Sequence, residues 1–260
     1  MRSPTFSPLY QQIKALLLES LRSGEWRPGE AIPSELDLAA RFKVSQGTVR
    51  KAIDELSAEN LVVRRQGKGT FVATHGERQV RFRFLRLAPD SGEPVLVERQ
   101  LLDFKRVRAG AEIARALDLK SGDPLVMIKR LLVFGGDPVV LEEVWLPGNL
   151  FKGLTPAAVT EHKGALYNLF ETQFGTRMVR AEEKLKAVAA DAASAGSLAV
   201  PAGHPLLAVE RVSFTYSDRP VEWRRGLYKT DRHSTGASWG ELVPRSNLSL
   251  GQRNQCAPAL

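Results

Sequence analysis

At 260 residues the chain has room for two domains and a sizeable core, and its 43% apolar and 25% charged content is that of an ordinary globular protein. Its one cysteine, Cys256, excludes an intrachain disulfide and a cysteine-rich metal site and fits a reducing cytoplasm, and the four histidines lack metal-ligand spacing. The formal net charge of +8 allows nucleic acid as a partner without establishing it, because residues 1–76 hold 11 Lys and Arg against 8 Asp and Glu, a net of only +3.

The N-terminus lacks the apolar run of a signal peptide, and no window approaches the ~18 apolar residues of a membrane helix. From Pro8 to Ser23, Leu9, Ile13, Leu16, Leu17 and Leu21 recur with helical spacing, and Gly24 ends that helix. After the turn at Glu25–Glu30, Ser34 is placed to cap a second helix, with Asp37 near the capping-box spacing. Lys43 and Val44 turn the chain, and Ser45 can cap a third helix. In it Val49, Ala52, Ile53 and Leu56 fall at i, i+3, i+4 and i+7, a buried stripe. Gln46, Arg50 and Asp54 fall on a different face, flanked by Thr48 and Lys51.

A short helix with that polar N-terminal end suits the major groove. Arg and Lys donate to guanine, Gln bonds adenine bidentately, and Thr reaches a phosphate or a thymine methyl. Residues 61–65 and 70–72 read as strands joined by Gln66–Gly69, whose glycines permit a tight tip. Arg64, Arg65 and Lys68 put cations there for phosphates. The expected unit is a winged helix-turn-helix over residues 8–74. Its candidate DNA contacts are Ser45, Gln46, Thr48, Arg50, Lys51, Arg64, Gly67 and Lys68.

Pro28-Gly29-Glu30, Pro33-Ser34-Glu35-Leu36, Val44-Ser45, Thr48-Val49-Arg50 and Gln66–Val72 together resemble the DNA-binding domain of GntR-type transcriptional regulators. The resemblance implies a dimer that reads a palindromic operator in double-stranded DNA. Asp37 and Gln46 stand where that family commonly carries arginine, which bears on the operator consensus.

Residues 75–79 are read as a linker. Beyond them the pattern turns strand-like, over residues 80–87 and Val95–Leu102. Leu117–Arg130 can be laid on Leu198–Arg211 without a gap at an offset of 81 residues, and one insertion then aligns Pro138 with Pro220. Each copy reads helix, Gly-Pro turn, long strand, hairpin, long strand. The repeat predicts two halves of one sheet about a pseudo-twofold axis, with a cleft suited to a ligand. Ala165–Phe170 reads as helix, Glu182–Ala190 as helix or strand. Residues 233–260 read as a disordered tail.

On the last strand Glu222, Arg224, Gly226 and Tyr228 share a face. Arg130 lies among Ile128 and Leu132, and Glu142 among Val140 and Val144. Charged groups in such company are either paired inside the domain or aimed at a ligand.

The Gly-x-Pro-Leu…Arg strands, Asp137-Pro138…Glu142, Leu166-Tyr167 and Arg219-Pro220-Val221-Glu222…Tyr228…Asp231 resemble the UTRA effector domain of the HutC-like GntR branch. That resemblance implies an α+β chain, with the winged helix-turn-helix joined to a mixed α/β effector-binding and dimerisation domain over residues 80–232, similar to the chorismate lyase fold. It implies Arg130, Glu142, Glu222 and Tyr228 as effector contacts, and Arg224 joins them by its face. Leu132 and Ala165 depart from the sugar-phosphate-binding members, so a carboxylate or other small anion on Arg130 is expected instead. No cofactor is expected. The alternative of a lyase-like enzyme fused to a DNA-binding module finds no clear acid, base or nucleophile set in this sequence.

Overall fold

The computed structural model describes residues 7–74, 87–162 and 164–235. The N-terminal unit is the predicted winged helix-turn-helix. Helix α1 spans Leu9–Ser23, with Pro8 just outside it as N-cap, and ends at Gly24, whose φ of 76° is left-handed. Helix α2 spans Glu35–Phe42 and starts with a full capping box: Ser34 Oγ accepts from the Asp37 amide and the Asp37 carboxylate accepts from the Ser34 amide. Ser34→Ala is expected to cost about 1 kcal/mol of this unit's stability, read as a lower denaturant midpoint.

Helix α3 spans Gln46–Ala58, and the Ser45 hydroxyl caps it by accepting from the Thr48 amide at 3.2 Å. The predicted stripe is its inner face: Val49, Ala52, Ile53 and Leu56 are fully buried against Leu17, Leu38, Trp26 and Ile32. The wing is β1 (Val62–Arg65) paired antiparallel with β2 (Gly69–Val72), in register from Val62↔Val72 to Arg65↔Gly69.

The second unit is organised by one six-stranded antiparallel sheet. Strands β3 (Leu87–Pro89) and β10 (His233–Thr235) form a small separate pair. The main strands are β4 (Val97–Arg108), β5 (Pro124–Phe134), β6 (Asp137–Pro147), β7 (Arg180–Ala189), β8 (Pro205–Phe214) and β9 (Pro220–Tyr228), in the order β4-β5-β6-β9-β8-β7. That order is the predicted pseudo-twofold, with β6 and β9 side by side at its centre. The repeat is larger than its sequence signature: β4 ends at Arg108 and β7 at Ala189, again 81 residues apart. Helix α4 (Ala111–Ala116) follows the first, and its counterpart α7 (Ala192–Leu198) follows the second.

Several expectations change in detail. The Val95–Leu102 candidate is only the first part of β4, because a register shift between Leu101 and Asp103 breaks the alternation that marks a strand. Glu182–Ala190 resolves as strand β7, an edge strand whose many exposed charges blur its period. Residues His233–Thr235 are not tail: they pair with Leu87–Pro89, and the His233 ring is buried edge-on to Phe134 at 5.2 Å. The remainder of the expected tail, the 75–79 linker and residues 80–86 lie outside the described residues.

The sheet's two faces carry different loads. At one end of the inner face, α5 (Pro156–Glu161) and α6 (Leu166–Phe174) pack with Phe151 and Leu154 over Val126, Ile128, Val144 and Leu146. At the other end Leu87 covers Leu132, Phe134, Val140, Val209 and Tyr228. On the outer face α4 packs near Trp145 and Trp223, and α7 near Leu141 and Leu206. Between those helices runs a cross-strand row, Asp103, Lys129, Glu143, Arg225, Glu210 and Lys184, that alternates in sign from strand to strand. Opposite charges side by side stabilise the pairing and fix its register.

Candidate functional site

Two sites stand out, one in each unit. On the winged-helix unit the polar face of α3 is gathered by a residue outside the expected contact set. Glu35, the first residue of α2, accepts from Gln46 Nε2 at 3.2 Å, Arg50 Nε at 3.0 Å and Arg64 Nη2 at 3.0 Å. Arg64 also meets Asp54 at 2.8 Å. Thus three of the predicted contacts, from helix and wing, stand together at the mouth of α3. The start of α2 is a favourable place for the carboxylate that holds them, because free backbone N–H groups concentrate there.

The other predicted contacts are dispersed. Ser45 and Thr48 bond each other at 2.8 Å and cap α3. Lys51 is turned to the opposite flank, its ammonium 4.0 Å from the Tyr10 ring centre. Gly67 is left-handed, with φ 69°, and shapes the wing tip on which Lys68 is exposed. Asp37 is occupied by the capping box, so its acidity is used in α2. Its neighbour Leu36, 64% exposed, is the side chain that α2 presents to solvent there.

The second site is a band of buried charge across the inner face, between its two apolar ends. Arg130 and Glu142 are direct cross-strand partners and share a hydrogen bond. Arg224 Nη1 donates to the other Glu142 oxygen at 3.1 Å, and Arg224 Nη2 donates to Glu222 Oε2 at 2.8 Å. Glu222 Oε1 accepts from Tyr167 Oη at 2.7 Å and Ser213 Oγ at 3.0 Å. Arg211 closes the row, its Nε donating to Glu183 Oε1 at 2.7 Å and its Nη1 to Tyr167 Oη at 3.3 Å. The Arg224 guanidinium also sits 5.2 Å from the Tyr167 ring centre. Three guanidiniums face three carboxylates, so the band is neutral overall.

The electrostatics follow from this packing. Burial alone would push Glu142 up, but Arg130 and Arg224 outweigh it and hold the carboxyl at about 2. Burial opposes the charge on Arg224, but Glu142 and Glu222 more than offset that and raise its pKa further. Burial, reinforced by the Glu142 charge, pushes the Tyr228 phenol up to about 12, and burial likewise raises Tyr167. Both phenols are therefore neutral donors at physiological pH.

All five predicted effector residues belong to this band or its edge. Arg211, Tyr167, Glu183 and Ser213 were missed. Arg211 was within reach, since the repeat lays it on Arg130. A cavity of about 20 Å³, room for one water, opens beside Arg211 and Tyr228 among Leu87, Leu207, Val209 and Thr235. A larger groove of about 510 Å³ lies on the outer face, lined by most of the alternating row together with Lys186 and Asp191, and it includes none of the charged groups of the buried band.

Gly226 lets the Tyr228 ring lie flat along the strand: a Cβ there would stand 2.5 Å from the ring. Gly226→Ala is expected to displace the ring and cost about 1–3 kcal/mol of stability, which a denaturant titration reads together with the tyrosine fluorescence.

Comparison with known proteins gives a family for each of the two units. Residues 9–72 match the model for bacterial regulatory proteins of the gntR family, and residues 93–234 match the UTRA domain model. The repressor PhnF of Mycolicibacterium smegmatis is 29% identical over 224 residues, covering 86% of this chain and 90% of its own. The mannosyl-D-glycerate transport/metabolism system repressor MngR of Escherichia coli K12 is 29% identical over 230 residues, covering 86% of this chain and 92% of its own. The ligand-binding domain of a GntR-family regulator from Bordetella bronchiseptica superimposes with a TM-score of 0.59 at 51% identity, over 62% of this chain and all of its own. These relatives are regulators, and nothing among them supports the lyase alternative. A winged helix with its polar face exposed, a sheet domain with a buried polar band, and matches to both family models together place this chain in the GntR family of transcriptional regulators, in the branch that carries a UTRA effector domain.

Proposed function

We propose that the protein is a homodimeric repressor of a palindromic operator, released by a small molecule that enters the buried band of the effector domain. Gln46, Thr48, Arg50 and Lys51 of α3 read and flank the major groove, and Arg64, Gly67 and Lys68 of the wing meet the backbone. The repressor sign rests on the relatives, PhnF and MngR, that carry that name.

The observation that carries the effector reading is Arg224 Nε. It is buried, and it has no hydrogen-bond partner among the described residues, in a band where the other end of the same guanidinium is paired twice. A buried donor without an acceptor costs about 1–3 kcal/mol, and an oxygen of a ligand would relieve it. The effector is therefore a small molecule with an anionic group, set against Arg130, Arg211 or Arg224, and with hydroxyl or ammonium donors for Glu142 and Glu222. A bare anion would leave the neutral band with an unbalanced buried charge. Such a ligand widens the small cavity and exchanges its own contacts for Arg–Glu pairs, which gives the two states different ligand affinity, as a switch requires.

The test is selection of bound duplexes from a random pool, then titration of the winner against a panel of small carboxylates, phosphates and amino acids. A palindromic winner released by one compound, with that release lost in Arg130→Met, supports the reading. A palindromic winner that no compound releases would remove the effector role from this band.

A further inference from the structure

The two units meet at a buried polar junction built on one arginine. Arg177 lies between α6 and β7 and is 3% exposed. Its Nη2 donates to the Asn60 carbonyl at 3.0 Å, and its Nη1 to the Leu61 carbonyl at 3.1 Å and the Tyr216 hydroxyl at 3.2 Å. Its Nε stands 3.7 Å from Glu171 Oε1, and the other Glu171 oxygen accepts from the Thr74 hydroxyl at 2.8 Å. Val179 and Tyr216 pack against the apolar core of the DNA-binding unit around this contact.

Asn60 and Leu61 are where α3 turns into the wing. Asn60 is left-handed, with φ 57°, and the Leu61 amide bonds back to the Leu56 carbonyl at 2.8 Å. The Arg177 guanidinium thus sits at the C-terminal, negative end of the recognition helix. The Leu61 carbonyl also accepts from the Ala73 amide at 3.1 Å, so the atom that Arg177 holds joins the two sides of the wing.

The same junction is reached from the buried band. Glu171 lies four residues after Tyr167 on α6, on the same helix face. Tyr167 donates to Glu222 in the band, while Leu169 and Phe170 anchor the helix in the core. One turn of helix has the band at one end and the junction at the other.

We propose that Arg177 is a positioning residue for DNA binding: it fixes α3 and the wing on the effector sheet, and α6 makes that position answer to the buried band. An exposed domain-contact arginine would contribute little. This one is desolvated and holds two backbone carbonyls and a hydroxyl, so losing them leaves buried polar groups unpaired and the junction comes apart and hydrates. That gives two discrete arrangements, docked and undocked, as a switch needs. In the dimer on a palindrome, a reading on which this inference rests, the docked junction sets the distance between the two α3 helices.

The test uses the full chain and duplexes carrying the selected half-sites at native spacing and with base pairs inserted between them. The wild type is expected to prefer native spacing by about tenfold or more, and Arg177→Met to lose most of that preference while still binding the half-site. Thr74→Val, which removes one hydroxyl, is expected to shift the preference in the same direction and shows that the result does not come from misfolding. Spacing preference unchanged in both variants would overturn the proposal. If the wild type itself shows no spacing preference, the palindrome reading fails, and amide exchange decides the junction separately. Exchange over residues 59–63 is then expected to rise about tenfold in Arg177→Met, and measurably in Tyr167→Phe, with residues 49–56 unaffected. No change over 59–63 in Arg177→Met would overturn the positioning role, and no change in Tyr167→Phe would overturn transmission through α6.

Discussion

Glu142→Ala is expected to destabilise the effector domain by about 3–5 kcal/mol, a large part of a typical domain's stability. The carboxylate is 1% exposed and lies between Arg130 and Arg224, so its removal leaves two buried guanidiniums facing each other with one fewer acceptor for each. The loss should appear as a lower denaturant midpoint with an unchanged slope. Replacing both cross-strand partners, Arg130→Met with Glu142→Leu, should restore much of it, since Arg224 keeps Glu222 and a well-packed apolar pair often matches a buried ion pair. A Glu142→Ala loss below about 1 kcal/mol would mean that the band is hydrated, and with it the electrostatic account would fall.

The same carboxylate sets an acid limit. Its folded value of about 2 lies below the usual 4.5, so the stability it adds is fully present above about pH 4.5 and is lost as pH falls toward 2. The shift corresponds to roughly 3 kcal/mol. Unfolding titrations should therefore show the effector domain weakening across that window, and Glu142→Leu with Arg130→Met should flatten the fall.

How much of this was legible in the sequence depends on the range of the interaction. The winged helix was readable almost residue by residue, because caps, the Val49-Ala52-Ile53-Leu56 stripe and the Gly67 tip are local devices. The sheet's symmetry was readable from the 81-residue repeat, yet β4 and β7 were hard to see. One is broken by its register shift, and both are edge strands whose exposed charges hide the period. Glu35 is visible in the sequence as part of the Pro33–Leu36 motif but not as the hub of Gln46, Arg50 and Arg64, since that role depends on α2, α3 and the wing meeting in space. Arg177 had no signal at all: its partners, Asn60 and Leu61, are more than a hundred residues away.

Arg50→Ala is expected to weaken specific operator binding by about 1–3 kcal/mol while leaving nonspecific DNA affinity nearly intact. The argument is one of partner exchange. In the unbound protein Arg50 is exposed and bonded to Glu35, and it lies near the N-terminal end of α3, the end that enters the groove on the proposed reading. On DNA it gives up an ion pair that is exposed on the arginine side and partly covered on the Glu35 side for a base edge, so much of the base contact survives as affinity. Glu35→Gln separates positioning from contact. If the carboxylate only competes with DNA, this variant should bind every duplex more tightly. If it aims Gln46, Arg50 and Arg64, the variant should gain nonspecific affinity and lose discrimination between the operator and its single-base variants. The convergence of three side chains from two elements on one carboxylate favours aiming, because random surface pairing would not bring helix and wing to the same two oxygens. Titrations of both variants on the operator and on a scrambled duplex, at two salt concentrations, decide the matter. An operator affinity unchanged in Arg50→Ala would remove Arg50 from the reading face and leave Gln46 and Thr48 to carry it.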